Sequence, residues 1–152
     1  MKKAICTLAF LLYAVSGRTE PIDGAMKELS GKVINSYQNL PNAKYRNSVA
    51  VMDFQNASPL AEKNNLGFAF SEIFAEHLGR SGAGTGLRII ERKQLTSILK
   101  EKELKLTGIA EGESAAAYAE VLGANLILVG SVFEAGDSVR VNARMIETEK
   151  SR

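Results

Sequence analysis

The sequence is short of the residues that most often do chemistry. Its 152 residues include one cysteine, one histidine and no tryptophan. The cysteine, Cys6, lies inside an apolar run at the amino terminus. A disulfide framework is therefore excluded, and so is a zinc site of the Cys/His type. The lone histidine, His77, has no second histidine or cysteine to share a metal with and no Ser/His/Asp spacing around it. It is expected as an ordinary half-exposed side chain near a helix end, where positive charge suits the dipole. No metal or other cofactor is expected.

Long hydrophobic runs are scarce too. Ala4 to Val15 is apolar behind Lys2 and Lys3, which is too short to cross a bilayer comfortably and has the form of a secretory leader. Residues 1–17 are read as a signal peptide cleaved near Gly17, with polar Arg18-Thr19-Glu20-Pro21 following. Cys6 comes too early in that run to be the lipid-modified cysteine of a lipoprotein. The expected product is a periplasmic protein without a lipid anchor or a transmembrane segment, possessing no cysteine at all. Removing Lys2 and Lys3 leaves 17 basic residues against 17 acidic ones, so no basic excess remains to attract nucleic acid.

What is present is the composition of one globular domain, 45% hydrophobic and 24% charged. Ile22 to Leu40 carries Ile22, Met26, Leu29, Val33, Ile34 and Tyr37 at helical spacing, and Pro41 to Lys44 ends it. Ser48 to Phe54, SVAVMDF, is a buried strand. Gln55 to Lys63 reads as a loop. Leu66, Phe70, Ile73, Phe74 and Leu78 mark a second helix with Gly79 at its carboxyl cap, and Leu87 to Ile90 is a short strand. Helices over Gln94–Leu106 and from Glu113 to Gly123 follow. Asn125–Phe133 and Ser138–Ile146 are strands joined by a turn at Glu134–Asp137. The predicted fold is α/β, a single domain with a mixed sheet covered by helices and an antiparallel carboxyl-terminal hairpin.

Two motifs invite enzymatic readings. Gly82-Ala-Gly84-Thr-Gly86 looks like a phosphate loop, but such loops run from strand to helix so that free N–H groups meet the anion. Here the order is helix, glycines, strand, which makes it a turn. Asp53 and Glu91 both fall at the carboxyl ends of strands, where α/β sites gather, and could act as acid and base in a small hydrolase or nucleotide-binding protein. Glu91 also suits the start of the following helix on electrostatic grounds alone. In the last strand Val139, Val141, Ala143 and Met145 alternate with Arg140, Asn142 and Arg144, giving one dry and one wet face. The wet face is a candidate protein-contact surface.

Four segments in order, Val49-Ala-Val-Met-Asp-Phe54, Arg88-Ile-Ile-Glu-Arg92, Leu122-Gly-Ala-Asn-Leu-Ile-Leu-Val-Gly-Ser131 and Val139-Arg-Val-Asn-Ala-Arg144, resemble the periplasmic domain of the curli-secretion channel family, CsgG, and its relatives. Those relatives include FlgO, the penicillin-binding-protein activator LpoB and the TolB amino-terminal domain. The resemblance covers about residues 25 to 148, with the domain itself placed at 45–148 and the helix at 22–40 preceding it. It implies envelope work by protein contact, with a secretion channel, a flagellar basal structure or a peptidoglycan synthase as partner, or another copy of the chain, and no catalytic residue to carry over. It also implies differences. The chain has neither a lipobox nor the length for barrel hairpins, so no pore is expected. The family's final strand continues past a Thr-Gly turn, whereas this sequence stops at Glu147–Arg152, so the sheet is expected to keep an open edge beside the last strand.

Overall fold

A computed structural model describes residues 7–16, 22–41, 43–45, 47–101 and 113–147. Six strands form one sheet: β1 (Thr7–Ser16), β2 (Ser48–Val51), β3 (Gln55–Asn56), β4 (Arg88–Ile89), β5 (Leu126–Ala135) and β6 (Ser138–Glu147). The helices are α1 (Ile22–Gln38), α2 (Pro59–Lys63), α3 (Leu66–Ser81), α4 (Arg92–Glu101) and α5 (Glu113–Leu122). The strand order is β1-β6-β5-β2-β4, with β3 beside β5 in line with β2. β2, β3 and β4 run parallel to β5 or to each other, whereas β6 and β1 are antiparallel.

The sheet is the middle of three layers, as continuous apolar strands require. On one face Val49, Val51, Leu126, Leu128, Val141, Ala143 and Met145 pack with α1 and α3. On the other, Ala50, Ile127, Val129 and Ile146 pack with Leu95 and Leu99 of α4 and Ala119 and Leu122 of α5. Alternation sorts neighbouring residues of one run into two cores, so Leu126 and Ile127 are both fully buried but face opposite ways.

The apolar stripe of α1 is used inside the chain. Ala25, Met26, Leu29, Val33, Ile34 and Tyr37 are buried, so this face is not available to a second copy or another protein as its sequence pattern allows. Side chains of this size contribute about 1.5–3 kcal/mol each on burial. Tyr37 donates its hydroxyl to the Ala43 carbonyl at 3.0 Å, which ties the helix end to the turn into β2.

The junction between β2 and β3 explains the sequence Met52-Asp53-Phe54. Between the pairs Val51↔Leu128 and Gln55↔Ser131 this strand carries one residue more than β5, a bulge that re-aims its side chains. Phe54 turns into the core against Phe74, ring centroids 5.7 Å apart. Two glycines make room for it: a Cβ on Gly130 would lie 2.6 Å from the Phe54 ring, and one on Gly67 would lie 1.9 Å from the Phe54 carbonyl oxygen.

Several boundaries differ from the sequence reading. The stretch 55–63 holds β3 and α2 where a loop is expected. Ser58, in extended conformation, accepts from Ala61 N and Pro59 opens the helix, a capped start too short to show periodicity. α3 continues through Gly79 to Ser81, and Gly84 and Gly86, not Gly79, take positive φ in the turn to β4. α4 starts at Arg92, and the rest of the helix expected to Leu106 lies outside the described residues. The expected cleavage point near Gly17 does too.

Candidate functional site

β6 places Arg140, Asn142 and Arg144 on the sheet face opposite Val141, Ala143 and Met145, as the alternation requires. Arg140 is exposed, and Asn142 and Arg144 are half-buried. Asn142 donates to Ser131 Oγ of β5 at 3.5 Å. The α4 and α5 layer covers the same face at Ile146 and at Val129, the register partner of Arg144, and exposure rises along β6 from Arg144 to Arg140.

The edge beside them is not open among the described residues. β1 pairs with β6 antiparallel from Thr7↔Ile146 to Ser16↔Ser138, with a register shift between Phe10 and Tyr13. The apolar run read as an export leader thus lies along the outer edge of β6. The physical reason is that β6 presents a ladder of backbone donors and acceptors, and an extended segment satisfies it. Ala14 stands in register with Arg140 and Ala9 with Arg144.

The carboxylates that suggest an enzyme are not brought together as a pair. Asp53, in the bulge after β2, accepts from Ser71 Oγ of α3 at 3.5 Å. Glu91 is exposed at the start of α4, the helix of the opposite face, and its carbonyl accepts from Leu95 N at 3.0 Å. Phe54 fills the space at the bulge itself. Among the described residues no group of three or more His, Cys, Asp or Glu side chains converges as a metal site. The glycine turn at 82–86 joins α3 to β4 and presents no helix amino terminus, in keeping with a turn.

His77 is the clearest correction. Far from half-exposed, it is 5% exposed, and its Nε2 lies 2.7 Å from Asp23 Oδ1. It ties α3 to α1, and Ser30 and Ser81 approach at 3.3 Å between the same helices. Sequence reasoning could not find this link, because its partner is 54 positions away. A second missed cluster sits at the far end of β5. Glu134 approaches Ser58 Oγ and accepts from Leu60 N at 3.4 Å, fastening α2 to the sheet. The hydrogen bond from Ser58 holds the Glu134 carboxyl below its ordinary pKa.

With strand order and surface in place, comparison with known proteins is decisive for the family. The family model described as curli production assembly/transport component CsgG matches residues 30–144. The chain belongs to the CsgG family. Its fold is similar to that of the LpoB C-terminal domain from Salmonella enterica, at 15% identity and a TM-score of 0.59, covering 83% of this chain and 87% of that one. The LpoB C-terminal domain from Escherichia coli aligns at 12% identity and a TM-score of 0.50, covering 86% of this chain and all of that one. No curated relative matches it. The family match starts within α1, which agrees with the packing of that helix on the sheet. No helix among the described residues is long and apolar enough to cross a membrane.

Proposed function

We propose that this CsgG-family chain is an exported, non-catalytic protein-contact module of the bacterial cell envelope, working in the periplasm or on the inner side of the outer membrane. The observation that carries the reading is the family match over residues 30–144, together with the polar residues Arg140, Asn142 and Arg144 on one face of β6, of which Arg140 is exposed. The Asp53 and Glu91 alternative has no comparable support, since one side chain is bonded within its own fold and the other is exposed on a different layer. The partner is an envelope protein of a secretion channel, a flagellar basal structure or a peptidoglycan synthase.

Two experiments test this. Mass spectrometry of the amino terminus recovered from cells should show processing near Gly17 and recovery with the envelope fraction. An intact Met1 on cytoplasmic protein would sink export. Affinity capture from periplasm should then retrieve an envelope protein with wild type and much less with Arg140→Glu/Arg144→Glu. Turnover of a small substrate that disappears in Asp53→Ala and Glu91→Ala would establish the enzyme instead.

A further inference from the structure

The leader reading and the sheet make rival claims on the same segment. Thr7–Ser16 is β1, paired with β6 from Thr7↔Ile146 to Ser16↔Ser138. A secretory leader acts as a free apolar segment, grasped by the export apparatus and then cut on its carboxyl side. In the folded chain the segment is an edge strand instead, and its backbone pairs with β6 along most of its length. It cannot be in both states at once.

The conflict is sharpest at the expected cut. Cleavage near Gly17 requires a protease to hold the residues just before the scissile bond, Val15 and Ser16, extended in its own cleft. Both stand in register with β6, Val15 with Val139 and Ser16 with Ser138. A protease cleft encloses that stretch from both sides, so the strand must leave β6 before it is cut. The pairing also forms late. β6 is the last of the described strands to be made, and it lies more than 120 positions from β1, whereas β5 and β6 join through a tight turn. Closing so long a loop is slow beside closing a hairpin. The leader is therefore free early in the life of the chain and withheld once the sheet is complete.

We infer that β6 is an autoinhibitory clamp on the leader: in the folded precursor its pairing with Thr7–Ser16 withholds Val15 and Ser16 from the leader-cleaving protease, so that only chains whose β6 has not yet paired are processed. The clamp acts before cleavage and through the backbone ladder. It sets a time limit on export, because a precursor that completes its sheet hides its own signal. The inference rests on the export reading for the identity of the leader.

The test uses the full chain, folded with its leader uncut, and a purified bacterial signal peptidase in detergent. We expect folded wild type to be cut near Gly17 at least about tenfold more slowly than the same protein freshly diluted from urea, the factor that one or two ladder hydrogen bonds supply. Leu8→Pro/Ala9→Pro leaves Val15-Ser16-Gly17 intact and removes two consecutive N–H groups, one of which points at β6 because successive residues of a strand alternate their bonding edge. Folded, this variant should be cut at nearly the rate of the urea-diluted chain. A second measurement needs no variant. During refolding of wild type, pulsed hydrogen exchange read by mass spectrometry should show resistance to cleavage arising together with protection of Thr7–Ser16, after protection of β2 and β5. Equal cutting of folded and urea-diluted wild type, a folded proline variant as resistant as wild type, or resistance that arises with β2 and β5 before Thr7–Ser16 is protected would each overturn the clamp. No cleavage near Gly17 even in the urea-diluted chain overturns the leader reading instead.

Discussion

The two seams flanking the carboxyl-terminal hairpin are built on opposite terms. Where β5 meets β2, from Val49↔Leu126 to Val51↔Leu128, both strands are apolar on both faces and the seam is buried between helix layers. Where β6 meets β1 the ladder is longer, but β6 alternates apolar and polar residues over Arg140–Met145. The inner seam is held by packing and tolerates no charge. The outer seam pairs along a backbone ladder and carries two arginines on the β6 side. The centre of the sheet is thus apolar on both faces, and its margin is mixed.

The harshest way to break that contrast is a charge in the inner seam. Ile127→Asp places a carboxylate at a fully buried position with no partner, and we expect no cooperative melting transition. Next comes Phe54→Ala, which removes the ring packed against Gly130 and Phe74. A loss of about 3–5 kcal/mol is expected in denaturant unfolding. A soluble, normally melting Ile127→Asp variant would show that the assignment of the two cores is wrong.

How much of this was legible in the sequence follows from the same contrast. Continuous apolar runs and clean alternation are local signals, so β5 and β6 and the faces of Val141 and Arg140 could be read directly. The glycine turn was legible from the order of elements around it. Helix α2 was missed because five residues cannot show a 3.6-residue period, although Ser58-Pro59 carried its cap. The buried state of His77 depends on Asp23 in another helix, and the bulge at Phe54 depends on Gly130 across the sheet. Neither partner is visible in a local window. The run Thr7–Ser16 is the sharpest case: an apolar decamer has the same composition as a leader or as an edge strand, and its pairing partner β6 lies more than 120 positions away in sequence.

Smaller perturbations sharpen the picture at the periphery. Ser58→Ala removes the cap of α2 and a bond to Glu134, and should cost about 1 kcal/mol. Because the Glu134 pKa is lowered in the folded state, its contribution is present above the ordinary glutamate value and is lost as pH falls through the folded one. Glu134→Gln should therefore flatten part of the acid arm of a stability-versus-pH curve and leave the neutral arm unchanged in slope. Smallest of all in stability is Arg140→Glu, expected within about 0.5 kcal/mol because Arg140 is exposed. Its consequence belongs to binding.

Photocrosslinking in living cells from single positions of the processed chain tests the central claim, contact through the β6 margin, most directly. We expect a probe at Arg140 or Asn142 to give a discrete adduct with an envelope protein, and probes at exposed Glu76 of α3 and Glu120 of α5 to give none. Adducts of equal yield from all four positions, or adducts from the helices alone, would contradict it.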